Sequence, residues 1–160
     1  MAWTGKQVRA AVIAFLSVSA VSVAGQIATY PNLQPWYAGL AKPSFNPPNW
    51  VFAPVWTILF VLMGVAFWRI LRLPASSVRR KAVLVFAVLL ALNAAWSWMF
   101  FGAHSPALGM VNIVPQLAVI GAAIVFFARL DRLAAACLVP LFAWVTFATV
   151  LNVSIFQLNQ

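Results

Sequence analysis

The chain reads as an all-α integral membrane protein, a five-transmembrane-helix bundle, on three grounds. Of its 160 residues, 65% are hydrophobic and only 7% charged, with a mean hydropathy of +0.99; a soluble domain carries about 25% charged residues. The apolar residues gather into five runs, each near the roughly 20 residues a helix needs to cross a bilayer. Finally, ten Lys and Arg face a single acid, Asp131, for a net charge of +9. They cluster at or beyond the ends of the runs. On a soluble chain this balance would suggest nucleic acid; here it orients spans in a membrane, and no nucleic-acid partner is expected.

The first run is residues 8–28. Lys6 and Arg9 at its start and Ser22-Val23-Ala24 near its end give it the look of a signal peptide, but it is read as a retained span. A long link, 29–47, follows. The stretch 36–59 reads WYAGLAKPSFNPPNWVFAPVWTIL and sets four prolines, Pro43, Pro47, Pro48 and Pro54, among six aromatic residues. Prolines fix φ and lack a donor, so regular helix is not expected before Pro48. Pro48 suits the first position of a helix, where a missing N–H costs nothing. The second span is thus 48–71. The third is 81–101, the fourth 106–128 and the fifth 133–156, joined by short links that make neighbours antiparallel. Residues 1–160 form one membrane domain.

Charge orients the bundle. Lys6, Arg9, Arg69, Arg72, Arg79, Arg80, Lys81, Arg129 and Arg132 fall on the side of the N-terminus, and Lys42 alone on the other. The N-terminus is therefore expected in the cytoplasm and the C-terminus outside, in a bacterial cell membrane, with the basic residues touching anionic lipid headgroups. Trp3 and Trp68 fit interfacial anchors.

Much chemistry has no groups to support it. No carboxylate lies inside a span, which argues against proton- or sodium-coupled transport. There is no carboxylate pair, no Ser/His/Asp set and no metal cluster. His104, the sole histidine, reads as an interfacial side chain rather than a haem ligand. Cys137, the sole cysteine, reads as a small apolar residue.

Aromatics are in excess: eight Trp, thirteen Phe and two Tyr. At about 1.5 Å per residue, Trp56, Asn93, Trp96, Ser97, Trp144, Ala148 and Asn152 all fall in the outer half of the bilayer, on three helices. Trp144, Ala148 and Asn152 share one face by their spacing, as do Asn93, Trp96, Ser97 and Phe100. Asparagine in hydrocarbon needs a partner, so Asn93 and Asn152 are expected to face the interior. On the opposite face of the third helix, Ala87, Ala91 and Ala95 form a small-residue stripe that suits close helix packing, within the chain or as a dimer seam.

Three pieces carry a family resemblance: WYxxLxKPxFxPPxWVFxxVWTxL at 36–59, NxxWSxxFFG at 93–102 and PxxAWxxFATxLN at 140–152. With five spans in this length, the chain resembles the tryptophan-rich sensory protein / translocator protein family, the peripheral-type benzodiazepine receptors, essentially end to end. The resemblance implies a five-helix bundle, often a homodimer, with a cavity under the first loop that binds porphyrins and, in some members, sterols or isoquinoline carboxamides. It implies ligand contacts at Trp36, Tyr37, Trp56, Asn93, Trp144 and Ala148, beside Trp96 and Asn152 from the depth reading. Some bacterial members resemble enzymes that degrade protoporphyrin in light, and Trp56 and Trp144 stand at the two tryptophan positions required there. Two departures bear on ligand choice. Leu141 follows the proline of the fifth helix where the family often has Tyr. The chain ends ATVLNVSIFQLNQ, without the Tyr and basic residue of the sterol motif.

The expected function is that of a porphyrin-binding sensory or translocator protein. Protoporphyrin IX or haem is the ligand and no cofactor is required; Trp faces stack on the ring, and Lys42 is available to a ring carboxylate. The alternatives are a light-dependent porphyrin-degrading enzyme, a lipid- or sterol-handling protein, and a helical module that binds a partner protein. The charge asymmetry itself is testable. A reporter fused after Gln160 is expected to be active outside the cytoplasm and one inserted at 73–80 inside; the reverse pattern overturns the orientation.

Overall fold

A computed structural model describes residues 4–160; Trp3 lies outside the described residues. Those residues are helical, without strands, and five helical stretches are long and apolar enough to cross a membrane. Helix α1, Gly5–Thr29, starts earlier than residue 8 because Thr4 and Gln7 form a reciprocal cap over its first turn.

The link 29–47 is more ordered than prolines alone suggest. A tight turn, Tyr30–Asn32, and a wide turn, Leu33–Tyr37, continue α1. Pro31 falls in the first turn of the former, where no N–H is needed. Gln34, before Pro35, is forced into extended backbone and makes the bend. Pro48 is the extended residue that precedes α2, Asn49–Leu71, rather than its first helical residue.

Helix α3, Ser77–Ser97, begins four residues before Lys81 because the Ser76 hydroxyl accepts from the Arg79 N–H at 3.0 Å. It ends in a wide turn, Trp98–Gly102, instead of running regularly to residue 101. Helix α4, Pro106–Ala128, is capped by Ser105. The fifth span is broken into α5, Arg132–Ala136, and α6, Val139–Leu158. The break precedes Pro140, which has no N–H for the carbonyl four residues earlier.

Around the bundle, α1 packs on α2 and α3, α3 on α4, and α4 on α5 and α6, while α5 closes onto α2. The half nearer the basic residues is filled by stacked Phe67, Phe86 and Phe127, with ring centroids 4.5 and 5.5 Å apart. At the other end Tyr37, Phe100, Phe101, Leu151 and Ile155 form a second buried cluster. Gly109 lets α4 approach this cluster: a Cβ there would lie 2.7 Å from Asn152 Oδ1 and 2.8 Å from the Phe100 ring.

The basic end is tied by the one acid. Arg69 donates to Asp131 Oδ2 from Nε and approaches it with Nη2, both at 2.8 Å. Asp131 Oδ1 meanwhile accepts the N–H groups of Leu133 and Ala134 and so caps α5. Arg79 donates to the carbonyls of Ile70 and Leu71, closing the C-terminal end of α2.

Burial alone would raise the Asp131 carboxyl, but the Arg69 hydrogen bond and charge and the two N–H donors outweigh it and hold the group below the ordinary carboxylate value. A depressed folded pKa stabilises fully above the unfolded value of about 3.9 and is lost as pH falls through the folded value. Asp131→Asn keeps a capping oxygen but removes the charge. It is expected to lower the melting temperature at neutral pH and to flatten the loss of stability below about pH 4. An unchanged melting temperature at neutral pH would show that the pair contributes nothing.

Candidate ligand-binding cavity

A cavity of about 640 Å³ lies between α1, α2, α3, α4 and α6, within the range of about 300–1,000 Å³ for small-molecule sites. Three tryptophans wall it: Trp56 from α2, Trp96 from α3 and Trp144 from α6. Their positions follow from packing around them. Trp56 leans on Phe60 at 5.4 Å, Trp96 stacks on Phe100 at 4.9 Å, and Trp144 meets the edge of Phe52, across from α2, at 5.8 Å. Ala148, one turn from Trp144, leaves space beside that ring. Asn93 reaches the cavity from α3; it is 7% exposed and its Nδ2 has no hydrogen-bond partner. No charged side chain lines the cavity.

Six of the residues singled out in the sequence therefore share this wall: Trp56, Asn93, Trp96, Ser97, Trp144 and Ala148. Trp36, Tyr37 and Asn152 stand behind it. Trp36 stacks on His104 at 4.8 Å and meets Phe100 edge-on. His104 in turn holds Asn32 Oδ1 through Nε2 at 2.6 Å. Tyr37 is buried, donates to Asn46 Oδ1 at 3.5 Å, and carries the Lys42 ammonium over its ring at 4.6 Å. Asn152 accepts from Trp96 Nε1 at 3.3 Å and donates to the Pro106 carbonyl at 2.9 Å, linking α6 to α3 and α4.

The profile of the TspO/MBR family matches residues 12–158 of the chain. The chain belongs to this family. It is 43% identical over 141 residues to the tryptophan-rich protein TspO of Chlorobaculum tepidum, covering 88% of this chain and 89% of the relative. It is 36% identical over 156 residues to the tryptophan-rich protein TspO of Archaeoglobus fulgidus, covering 92% and 95%. The translocator protein of Sus scrofa is 38% identical over 128 residues, covering 78% and 75%.

Within this TspO/MBR fold, other features come from residues that sequence reasoning passed over. Gln116 on α4 lines the cavity and is 2% exposed. Its signal was present, since Asn112 and Gln116 are one turn apart in an otherwise apolar run. Ser19 and Gln26 on α1 and Thr57 on α2 line the cavity while remaining exposed on the bundle surface, so the cavity opens along the α1–α2 flank. Asn159 exchanges two hydrogen bonds of 2.9 Å with the backbone of Ala41 and pins the first loop to the end of α6.

Ala87 and Ala91 are exposed on the outside of α3, and Ala95 is half-buried. Among the described residues no group of His, Cys, Asp or Glu is arranged to hold a metal ion. What the cavity offers a ligand is therefore aromatic faces and uncharged amides.

Proposed function

We propose that this protein binds a porphyrin in the cavity as a tetrapyrrole sensor or translocator. The observation that carries the reading is the set of three tryptophans from three helices around one chamber of about 640 Å³. A porphyrin is a broad, flat, apolar ring, and offset or edge-on contact with indole suits it. Family membership, with relatives named as tryptophan-rich and translocator proteins, supports the class.

The porphyrin carboxylates belong outside the chamber, in water, because no cation lines it and an unpaired charge inside would be costly. Lys42 already donates to the carbonyls of Ala38 and Leu40, so it is not held free for a carboxylate. The basic end faces the cytoplasm in this reading, in the cell membrane of a bacterium. A role in porphyrin metabolism or stress regulation follows from the ligand. Illumination of the porphyrin complex distinguishes a binder from an enzyme: quenching without a product marks the binder, and bleaching with a new product would place photochemistry at Trp56 and Trp144.

Binding is the first measurement. Trp144→Ala is expected to weaken protoporphyrin IX binding by about 1 kcal/mol or more, roughly fivefold, by removing a face. Ala148→Leu should weaken it by filling space while Trp144 remains. Trp68→Ala, near the basic end, is the control. No loss in either cavity variant, or equal loss in all three, would overturn the reading.

Association is the second. We propose a homodimer through the Ala87, Ala91 and Ala95 stripe, which leaves its small side chains largely on the bundle surface and would admit a close helix contact. Ala91→Phe should shift the protein toward monomer in mild detergent with porphyrin binding retained. A dimer that persists unchanged would place the seam elsewhere.

A further inference from the structure

All of the Lys and Arg but Lys42 lie at the basic end, where Asp131 is the one acid, and Arg69 already holds it. Arg72 and Arg129 lie over the rings of Trp68 and Phe126. Apart from Arg69, no basic side chain there pairs with a carboxylate among the described residues. A general attraction to anionic lipid acts on all of them alike. One place at this end differs from the rest in shape.

A groove of about 510 Å³ lies between the end of α2 and the start of α3. Arg79 and Arg80 stand in it at the first turn of α3. Val83 and Leu84 follow one turn further into the bilayer, about 6 Å along the helix, and Leu71 closes the groove from α2. Leu84 is 61% exposed, so this surface faces hydrocarbon.

The Arg79 guanidinium is fixed by the backbone. Its Nε donates to the Ile70 carbonyl at 3.0 Å and its Nη2 to the Leu71 carbonyl at 2.8 Å. Its Nη1 has no hydrogen-bond partner among the described residues. Arg80 is exposed, and its side chain has no partner among them either. Free guanidinium donors thus sit at the level where a helix leaves the hydrocarbon, with an apolar surface directly beneath. An amphiphile with an anionic head and an acyl tail satisfies both. Guanidinium and phosphate match in charge and donor geometry, and their hydrogen bonds are charge-assisted. Arg79 is ordered before any ligand arrives, so binding costs it little side-chain entropy. A free phosphate ion would gain the head contact alone and leave Val83 and Leu84 uncovered.

We propose that this groove binds one anionic glycerophospholipid, with its phosphodiester on Arg79 and Arg80 and an acyl chain along Val83 and Leu84. The site shares no lining residue with the central cavity and does not depend on what that cavity holds. It is complete within one chain. Ala87 continues the Leu84 face of α3, so the bound lipid borders the basic end of the alanine stripe.

The test uses the full chain in nonionic detergent micelles. Energy transfer from tryptophan reads the binding of pyrene-labelled phosphatidylglycerol and of phosphatidylcholine with the same acyl chains. Salt is held at about 1 M, where the Debye length is about 3 Å and attraction beyond direct contact is screened. Wild type is expected to prefer phosphatidylglycerol about tenfold, and Arg80→Gln to lose about fivefold of that preference, the scale of one hydrogen bond to a charged group. Arg79→Lys keeps the charge but not the fork and should fall between them. Arg132→Gln, exposed at the same end but outside the groove, should leave the preference unchanged. Ala75→Phe fills the groove from an exposed lining position and should weaken phosphatidylglycerol binding with every charge in place. Glycerophosphate, the head without the tail, should not displace the labelled lipid.

No preference in wild type, or equal losses in Arg80→Gln and Arg132→Gln, would reduce the effect to diffuse surface charge and overturn the site. Unchanged binding in Ala75→Phe would overturn the groove as its seat. Displacement by glycerophosphate as effective as by unlabelled phosphatidylglycerol would overturn lipid as the occupant. A melting temperature equal to that of wild type shows that Arg80→Gln and Ala75→Phe are folded; where one of them is not, the other decides.

Discussion

A polar group in hydrocarbon must find its hydrogen bond inside the protein, and this bundle is arranged around that requirement. Its hydroxyls are the simplest case. Ser17, Thr29, Thr57, Thr146, Thr149 and Ser154 each bond to a carbonyl one turn back on their own helix. That satisfies them without tying one helix to another. The longer amides reach across. Asn152 joins α6 to Trp96 and to the start of α4, and Asn159 joins the end of α6 to the first loop. Side-chain length thus separates groups that only satisfy themselves from groups that set the positions of helices.

The cross-helix ties sit at the two ends. At the basic end, Arg69 and Asp131 couple α2 to the start of α5. At the other end, Asn152, Asn159 and the aromatic cluster of Tyr37, Phe100 and Phe101 hold the loops and helix ends. Between these ends α2 and α6 meet across the chamber through the edge contact of Phe52 and Trp144. Closure at both ends permits a void in the middle, because the helices need not collapse onto it to be held in place. The void is lined by rigid indoles, which keep their shape at little entropic cost.

The five spans, the basic asymmetry and the grouping of Trp56, Asn93, Trp96, Trp144 and Ala148 were all legible in the sequence. Bilayer thickness fixes span length, and the helical period fixes which residues share a depth and a face. Neither quantity says what an inward-facing side chain meets. Asn93 and Asn152 have the same chemistry and both lie in the outer half of the bundle, yet one faces the cavity and the other a neighbouring backbone. The difference lies in Gly109, whose missing Cβ lets α4 come within reach of Asn152. That is a tertiary fact carried by a residue on a third helix. Trp36 and Tyr37 likewise sit behind the wall because the turn Leu33–Tyr37 folds them onto Phe100 and Phe101, a geometry that the prolines signal only as irregular. The break before Pro140 was readable from the proline rule, but a continuous apolar run obscured it.

The open flank changes what specificity can mean in such a site. A soluble pocket competes with water, which fills an apolar chamber poorly, so burial of apolar surface alone favours a ligand. This chamber competes with lipid tails, which are as apolar as the ligand body, and transfer from bilayer to cavity gains little from hydrophobicity. Under the porphyrin reading proposed above, the gain would come from what lipid tails lack: stacking against Trp56, Trp96 and Trp144, and a hydrogen bond to the amide of Asn93, whose Nδ2 is left unpaired. Phe15 helps to confine the opening, because its ring lies where a Cβ on Gly64 would stand, only 2.6 Å away, and packs α1 closely against α2 at that level. The helices are therefore held together toward the basic end and leave Ser19, Gln26 and Thr57 around an opening above it. A second copy docked on the alanine stripe of α3 would cover a different side of the bundle and leave this flank exposed to lipid.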